Sequence, residues 1–106
     1  MTIKRIWHGW TTPQNADVYE KLLREEVSVG IEAMTIKGLR RFEMLRRAHA
    51  DEVEFVTIME FDDLDAVKTF VGEDYENCYV PAAARAVLKR FDEQSAHFDL
   101  LEARTY

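Results

Sequence analysis

The chain has 106 residues, 20 acidic and 14 basic, for a formal net charge of −6, with 47% hydrophobic and 32% charged content. That size and balance fit one globular domain spanning 1–106, and the negative field repels phosphate backbones and anionic lipid surfaces, so neither nucleic acid nor membrane is an expected partner. No apolar run approaches the ~20 residues of a membrane span.

The first strand is expected over 3–10, with Ile3 and Trp7 on one face and Ile6, His8 and Trp10 on the other. Neither face suits water. The Thr12-Pro13 pair ends this strand, and Thr12 or Asn15 can cap the helix that follows. Tyr19, Leu23, Val27 and Ile31 are spaced by four, with Val18 and Leu22 beside them, while Glu20/Arg24 and Lys21/Glu25 form i,i+4 pairs on the other side. The helix fades near Met34. Lys37-Gly38 breaks the chain, and a strand over 39–47 turns through 48–52 into a third strand over 53–61, completing a hairpin. This third strand is again apolar on both faces, with Val53, Phe55, Met59 and Phe61 opposing Val56 and Ile58.

Asp62 and Asp63 stand at an N-cap position for a second helix, whose buried stripe is Leu64, Val67, Phe70 and Val71, with Gly72 at its end. The stretch 73–80, carrying Tyr75, Cys78 and Tyr79, reads as the longest loop. Pro81 suits a first helical position, so a short third helix is expected over 82–90 and a last strand over 94–104, with Phe98 and Leu100 opposing His97 and Leu101.

The order is β-α-β-β-α-β with an extra short helix, a ferredoxin-like α+β arrangement whose antiparallel sheet runs 4-1-3-2. A sheet apolar on both faces needs two covering layers, and this chain holds enough helix for one. A second copy supplies the other, so a homodimer with facing sheets is expected. In this topology the first and last strands are neighbours, which could bring His8 and His97 together.

Hydrolase, kinase and dehydrogenase signatures are absent. His8, flanked by Trp7 and Trp10, is the leading candidate for a general base in a dry pocket, with His97 in support. The alternative for each is a buried histidine with a satisfied ring. Of the two tryptophans, out of phase along the strand, one is expected in the core and the other at a ligand site. Tyr79 lies where a lid over such a site often runs, or else seals the core. Arg41, within the basic set Arg40, Arg41, Arg46 and Arg47, either keeps an edge strand charged or holds a carboxylate-bearing ligand. The three histidines lack paired metal-ligand spacing, so no metal is expected. The lone Cys78 cannot form an internal disulfide and reads as a small filler. With no long apolar core or cleavage site in MTIKRIWHGW, a reducing cytoplasm is the expected location.

The segments RIWHGWT, FDDLDAVKTFVGEDYE and AHFDLL together resemble the antibiotic biosynthesis monooxygenase superfamily of dimeric α+β barrels, over nearly the whole chain. The resemblance implies a ferredoxin-like protomer, dimerisation through the sheets and a pocket between sheet and helices in each subunit. Haem-degrading members of that group use an asparagine, a tryptophan and a histidine at places that here hold Trp7 or His8, Phe70 and Val80, so the resemblance does not extend to haem. A tryptophan common at the end of the third strand is Phe61 here.

The function expected from this reading is cofactor-independent monooxygenation of a small electron-rich aromatic or polyketide-like substrate. His8 and His97 are the catalytic candidates, and Trp7, Trp10, Tyr79 and Arg41 are the substrate-binding ones. Two other readings stand beside it: a non-catalytic dimeric protein that binds a small hydrophobic or aromatic ligand, and a different dimeric-barrel enzyme such as an isomerase.

Overall fold

A computed structural model describes residues 1–106. Strand β1 (Ile3–Thr11) lies in the middle of one antiparallel sheet. It pairs with β3 (Val53–Phe61) along its whole length, from Ile3 opposite Phe61 to Thr11 opposite Val53. The hairpin partner β2 (Leu39–Ala48) lies outside β3. The other side of β1 carries two short pieces, β4 (Arg90–Phe91) and β5 (Ala96–Asp99). Taken together as one closing strand, these give the order 4-1-3-2 expected from the sequence.

That closing strand is shorter than the expected 94–104. Its register ends with Asp99 opposite Ile3, and one further bond, from the amide of Leu100 to the carbonyl of Thr2 at 2.9 Å, follows it. Between the two pieces the chain leaves the ladder, and the amide of Ser95 donates to the carbonyl of Glu76 at 2.7 Å.

The helical layer covers one face. Helix α1 (Ala16–Leu22) continues through a π-helical turn (Leu23–Val27) into α2 (Ser28–Ala33), with the amide of Ser28 donating to the carbonyl of Leu23. The four-residue spacing of the apolar stripe accounts for this turn. At 3.6 residues per turn each step of four overshoots by about 40°, and a wider turn takes up part of the drift. Tyr19, Leu23 and Ile31 consequently all stay buried. Val18, expected beside the stripe, is 55% exposed. Of the two i,i+4 pairs, Glu20 and Arg24 meet at 3.6 Å, whereas Lys21 and Glu25 form no ion pair.

Helix α3 (Leu64–Val71) starts where the sequence places it. Asp63 accepts from the amide of Ala66 at 2.9 Å, and Asp62 instead takes a bidentate contact from Arg40. Helix α4 (Ala82–Val87) is shorter than the expected 82–90, and Pro81 lies just outside it with extended backbone. Leu88 is also extended, and the amide of Lys89 donates to the carbonyl of Trp10 at 2.8 Å, so sheet pairing ends the helix early.

Along β1 and β3 every odd residue is buried and every even one is partly exposed. The odd face packs on the helices in two clusters, one around Phe61, Val67 and Ile31, the other around Phe55, Tyr19 and Trp7. The even face carries Ile6, Trp10, Val56 and Ile58, joined by Leu45, which pairs with Val56, and Phe98, which pairs with Lys4. No helix of this chain covers it, and Leu45 and Phe98 are exposed.

Candidate functional site

Between the odd face of the sheet and the helices lies a cavity of about 40 Å³. Its floor is β1 and β3, through Arg5, Trp7, Thr57 and Met59. Its roof is the α1–α2 helix, with Leu23 and Val27 from the π turn, and its rim is Tyr79, Val80 and Pro81. Eleven of the fifteen lining residues are hydrophobic, so the polar groups among them stand out.

Arg5 is the one charged residue lining the cavity, and it is 3% exposed. It sits in phase with Ile3 and Trp7, on the face that the helices cover. Its Nη1 donates to the carbonyl of Tyr75 at 2.5 Å and to Nε2 of His97 at 2.9 Å, and its Nη2 donates to the carbonyl of Asn77 at 2.9 Å. The guanidinium also lies 5.6 Å from the ring centre of Phe70. No carboxylate pairs with it. Nε–H and the second hydrogen of Nη2 make no hydrogen bond within the chain, although a guanidinium carries five donors. Burial lowers its pKa to about 10, which leaves it charged at neutral pH.

His97 stands opposite Arg5 in the β1–β5 ladder. Burial, and next the positive charge of Arg5, lower its pKa to about 4, so the ring is neutral at physiological pH. Arg5 is a donor only, so Nε2 of His97 is the acceptor and Nδ1 carries the proton. Tyr75 meets the same imidazole edge-on, with ring centres 5.2 Å apart. On the opposite wall, burial pushes the phenol of Tyr19 well above its ordinary pKa and keeps it protonated.

Trp7 is held by a 2.9 Å hydrogen bond from its indole Nε1 to the carbonyl of Asp92. Phe70 and Tyr79 lie with ring centres 5.0 Å apart, which ties α3 to the rim. As it stands the cavity has room for about three water-sized molecules, and a ring-sized ligand requires the rim to move.

By sequence the chain matches no protein-family model and no curated protein. By structure it is similar over 99% of its length to a Bacillus cereus protein provisionally named an antibiotic biosynthesis monooxygenase, with a TM-score of 0.69, 10% identity and 98% of that chain covered. It is similar to Rv0793 of Mycobacterium tuberculosis at a TM-score of 0.65 with 15% identity, over 99% of this chain and 100% of that one. A Chloroflexus aurantiacus protein, also provisionally named an antibiotic biosynthesis monooxygenase, aligns at a TM-score of 0.63 with 14% identity, over 99% and 98% of the two chains. This chain has their fold.

Within this fold the sequence-derived candidates separate into two groups. Trp7 and Tyr79 line the cavity, and His97 stands behind Arg5. His8, Trp10 and Arg41 lie on the even face and do not reach it, because period two turns them to the other side of the sheet. The expected meeting of His8 with His97 therefore does not occur: their strands are neighbours, but the two side chains project from opposite faces. His8 instead lies with Nδ1 3.3 Å from Asp92 and Nε2 3.7 Å from Glu54, stacked at 6.0 Å on Trp10. Trp10 is covered in turn by the guanidinium of Arg90 at 3.8 Å, and Arg41 pairs with Glu43 at 3.2 Å. His49 meets Glu54 at 2.9 Å, and no group of three or more His, Cys, Asp or Glu is placed to hold a metal ion.

Arg5 is the residue that sequence reasoning passed over. The signal was present: a charged side chain in phase with the buried face of a strand.

Cys78 packs beside the second core cluster as a free thiol, and burial raises its pKa. The thiolate is disfavoured there.

Proposed function

We propose that this protein is a cofactor-independent monooxygenase for a small electron-rich aromatic or polyketide-like molecule bound between the sheet and the helices. The observation that carries the reading is the cavity itself: apolar, aromatic at Trp7, Phe70 and Tyr79, and holding a single cation. A substrate that loses a proton from carbon to become a stabilised anion passes one electron to O2, and the resulting radical and superoxide combine at carbon. The hydroperoxide then loses water and leaves a carbonyl. Little is asked of the protein beyond a base, a dry site and fixed placement. His97 is the base this reading assigns, since it is the one histidine on the cavity side of the sheet. The likeness in fold to two proteins named as monooxygenases supports the same reading.

The proposed assembly is a homodimer that closes over the even face, where Ile6, Val56, Ile58, Leu45 and Phe98 lack cover from their own chain. Oxygen uptake by the purified protein with anthrone, followed in an oxygen electrode, tests the reaction. Uptake above the protein-free rate is the expected result, and a rate equal to that blank overturns the assignment.

A further inference from the structure

A buried guanidinium with no anion beside it is an unusual thing for a fold to keep. Desolvating the charge costs several kcal/mol unless the surroundings compensate, and a carboxylate is the usual compensation. Here the compensation comes from two backbone carbonyls, those of Tyr75 and Asn77, and from one imidazole lone pair. All three are neutral acceptors. Two of them belong to a single loop, 73–80, which continues into the cavity rim at Tyr79, Val80 and Pro81. Arg5 thus lines the cavity, has two donors to spare, and holds closed the segment that a ring-sized ligand must displace.

We propose that Arg5 is the anion-recognition group of this cavity, and that the ligand is a small aromatic molecule bearing an anionic oxygen that takes the guanidinium from the loop carbonyls. A planar fork of N–H donors matches a carboxylate or a phenolate-type oxygen better than it matches scattered carbonyls, and charge-assisted bonds are about twice as strong as those to neutral acceptors. The exchange releases the loop, so the same contact that selects the ligand opens the rim. It also relieves His97. With the guanidinium paired to the ligand and drawn off Nε2, the lone pair of that nitrogen is freed and the repulsion from Arg5, the lesser of the two effects on the imidazole after burial, is offset. The inference deepens the monooxygenase reading by naming its substrate class, but it depends only on the cavity being the ligand site.

Benzoate and its neutral isostere benzamide are the probes, with binding followed by titration calorimetry in the absence of any turnover. Benzoate is expected to bind wild type at least about tenfold more tightly than benzamide, and Arg5→Met to remove that preference. Arg5→Lys, which keeps the charge but not the fork, guards against a misfolded variant and is expected to retain part of the preference. Amide exchange on wild type supplies a readout independent of any substitution: benzoate is expected to speed exchange over 73–81, and to do so more than benzamide at equal occupancy. Equal affinity for the two probes, undetectable binding of benzoate, an Arg5→Met protein that still discriminates, or unchanged exchange over 73–81 each overturns the proposal. Discrimination without oxygen uptake would leave Arg5 in place and sink only the oxygenase reading.

Discussion

Nη1 of Arg5 lies 2.9 Å from Nε2 of His97, and because arginine has no lone pair to offer, that contact fixes the histidine as a neutral acceptor protonated on Nδ1. A proton on Nε2 would face a donor and a fixed positive charge. Burial, and next that charge, hold the imidazole neutral in the native state down to about pH 4, while the unfolded chain takes up the proton near the ordinary value of 6.5. Between those values the unfolded chain binds the extra proton. This contribution to stability is full above pH 6.5 and is lost as pH falls through the window toward 4. His97→Gln keeps an acceptor for Arg5 but does not titrate. Its melting temperature, followed by circular dichroism from pH 7 to 4, is expected to fall less steeply than that of wild type, and parallel profiles would show that His97 is not held neutral.

Gly9 is the place on β1 where the indole of Trp7 lies against the backbone. A β-carbon there would collide with Cη2 of Trp7 and come within 3.1 Å of Cδ2 of Leu88. The indole cannot simply swing away, because Nε1 is bonded to the carbonyl of Asp92 and the side chain is 7% exposed. Gly9→Ala is expected to cost about 1–3 kcal/mol in urea unfolding and to alter the near-ultraviolet tryptophan signal, as overpacking of a filled site does. A neutral substitution would mean that the Trp7 wall of the cavity is soft.

Ile58 stands on the even face between Ile6 and Glu43. If a second copy covers that face, Ile58→Lys places a cation in an apolar interface, where burial without a partner is costly. Sedimentation velocity is expected to show a dimer for wild type and monomer for the variant at micromolar concentration. A wild-type protein that sediments as a monomer would leave the even face facing water and remove the dimer from the proposal.

The cap at Asp63 anchors the helix that carries Phe70 to the cavity. Its carboxylate accepts from the amide of Ala66 at 2.9 Å. Asp63→Ala is expected to destabilise the fold by about 1 kcal/mol, with Asp63→Asn losing much less. Equal losses for the two variants would place the effect in charge rather than in the hydrogen bond.

Much of this architecture was legible in the chain of residues. Period two in β1 and β3, the stripe from Tyr19 to Ile31, the cap at Asp63 and the break at Gly38 are local signals, and each element stands where its signal lies. Where expectation and structure differ, a partner distant in sequence decided the matter. The ladder of the last strand ends with Asp99 opposite Ile3, followed by a single bond from the amide of Leu100 to the carbonyl of Thr2, and α4 stops at Val87 because the carbonyl of Trp10 claims the amide of Lys89. The site divides the same way. Alternation alone separates Trp7 from Trp10 and His8 from His97 once the register is known, but no local pattern gives that register across 92 residues of chain separating Arg5 from His97.

By itself the sequence determined a two-faced sheet, the helices that cover one side of it and the shortage of helix for the other, because side-chain alternation and helical spacing are properties of neighbouring residues. Only the tertiary structure decided that Arg5 meets neutral acceptors rather than a carboxylate, that His97 lies behind it and that His8 faces away. Those facts depend on where a loop some seventy residues downstream lays its carbonyls, with Tyr75 and Asn77 separated from Arg5 by 70 and 72 positions, and no local preference encodes such a meeting.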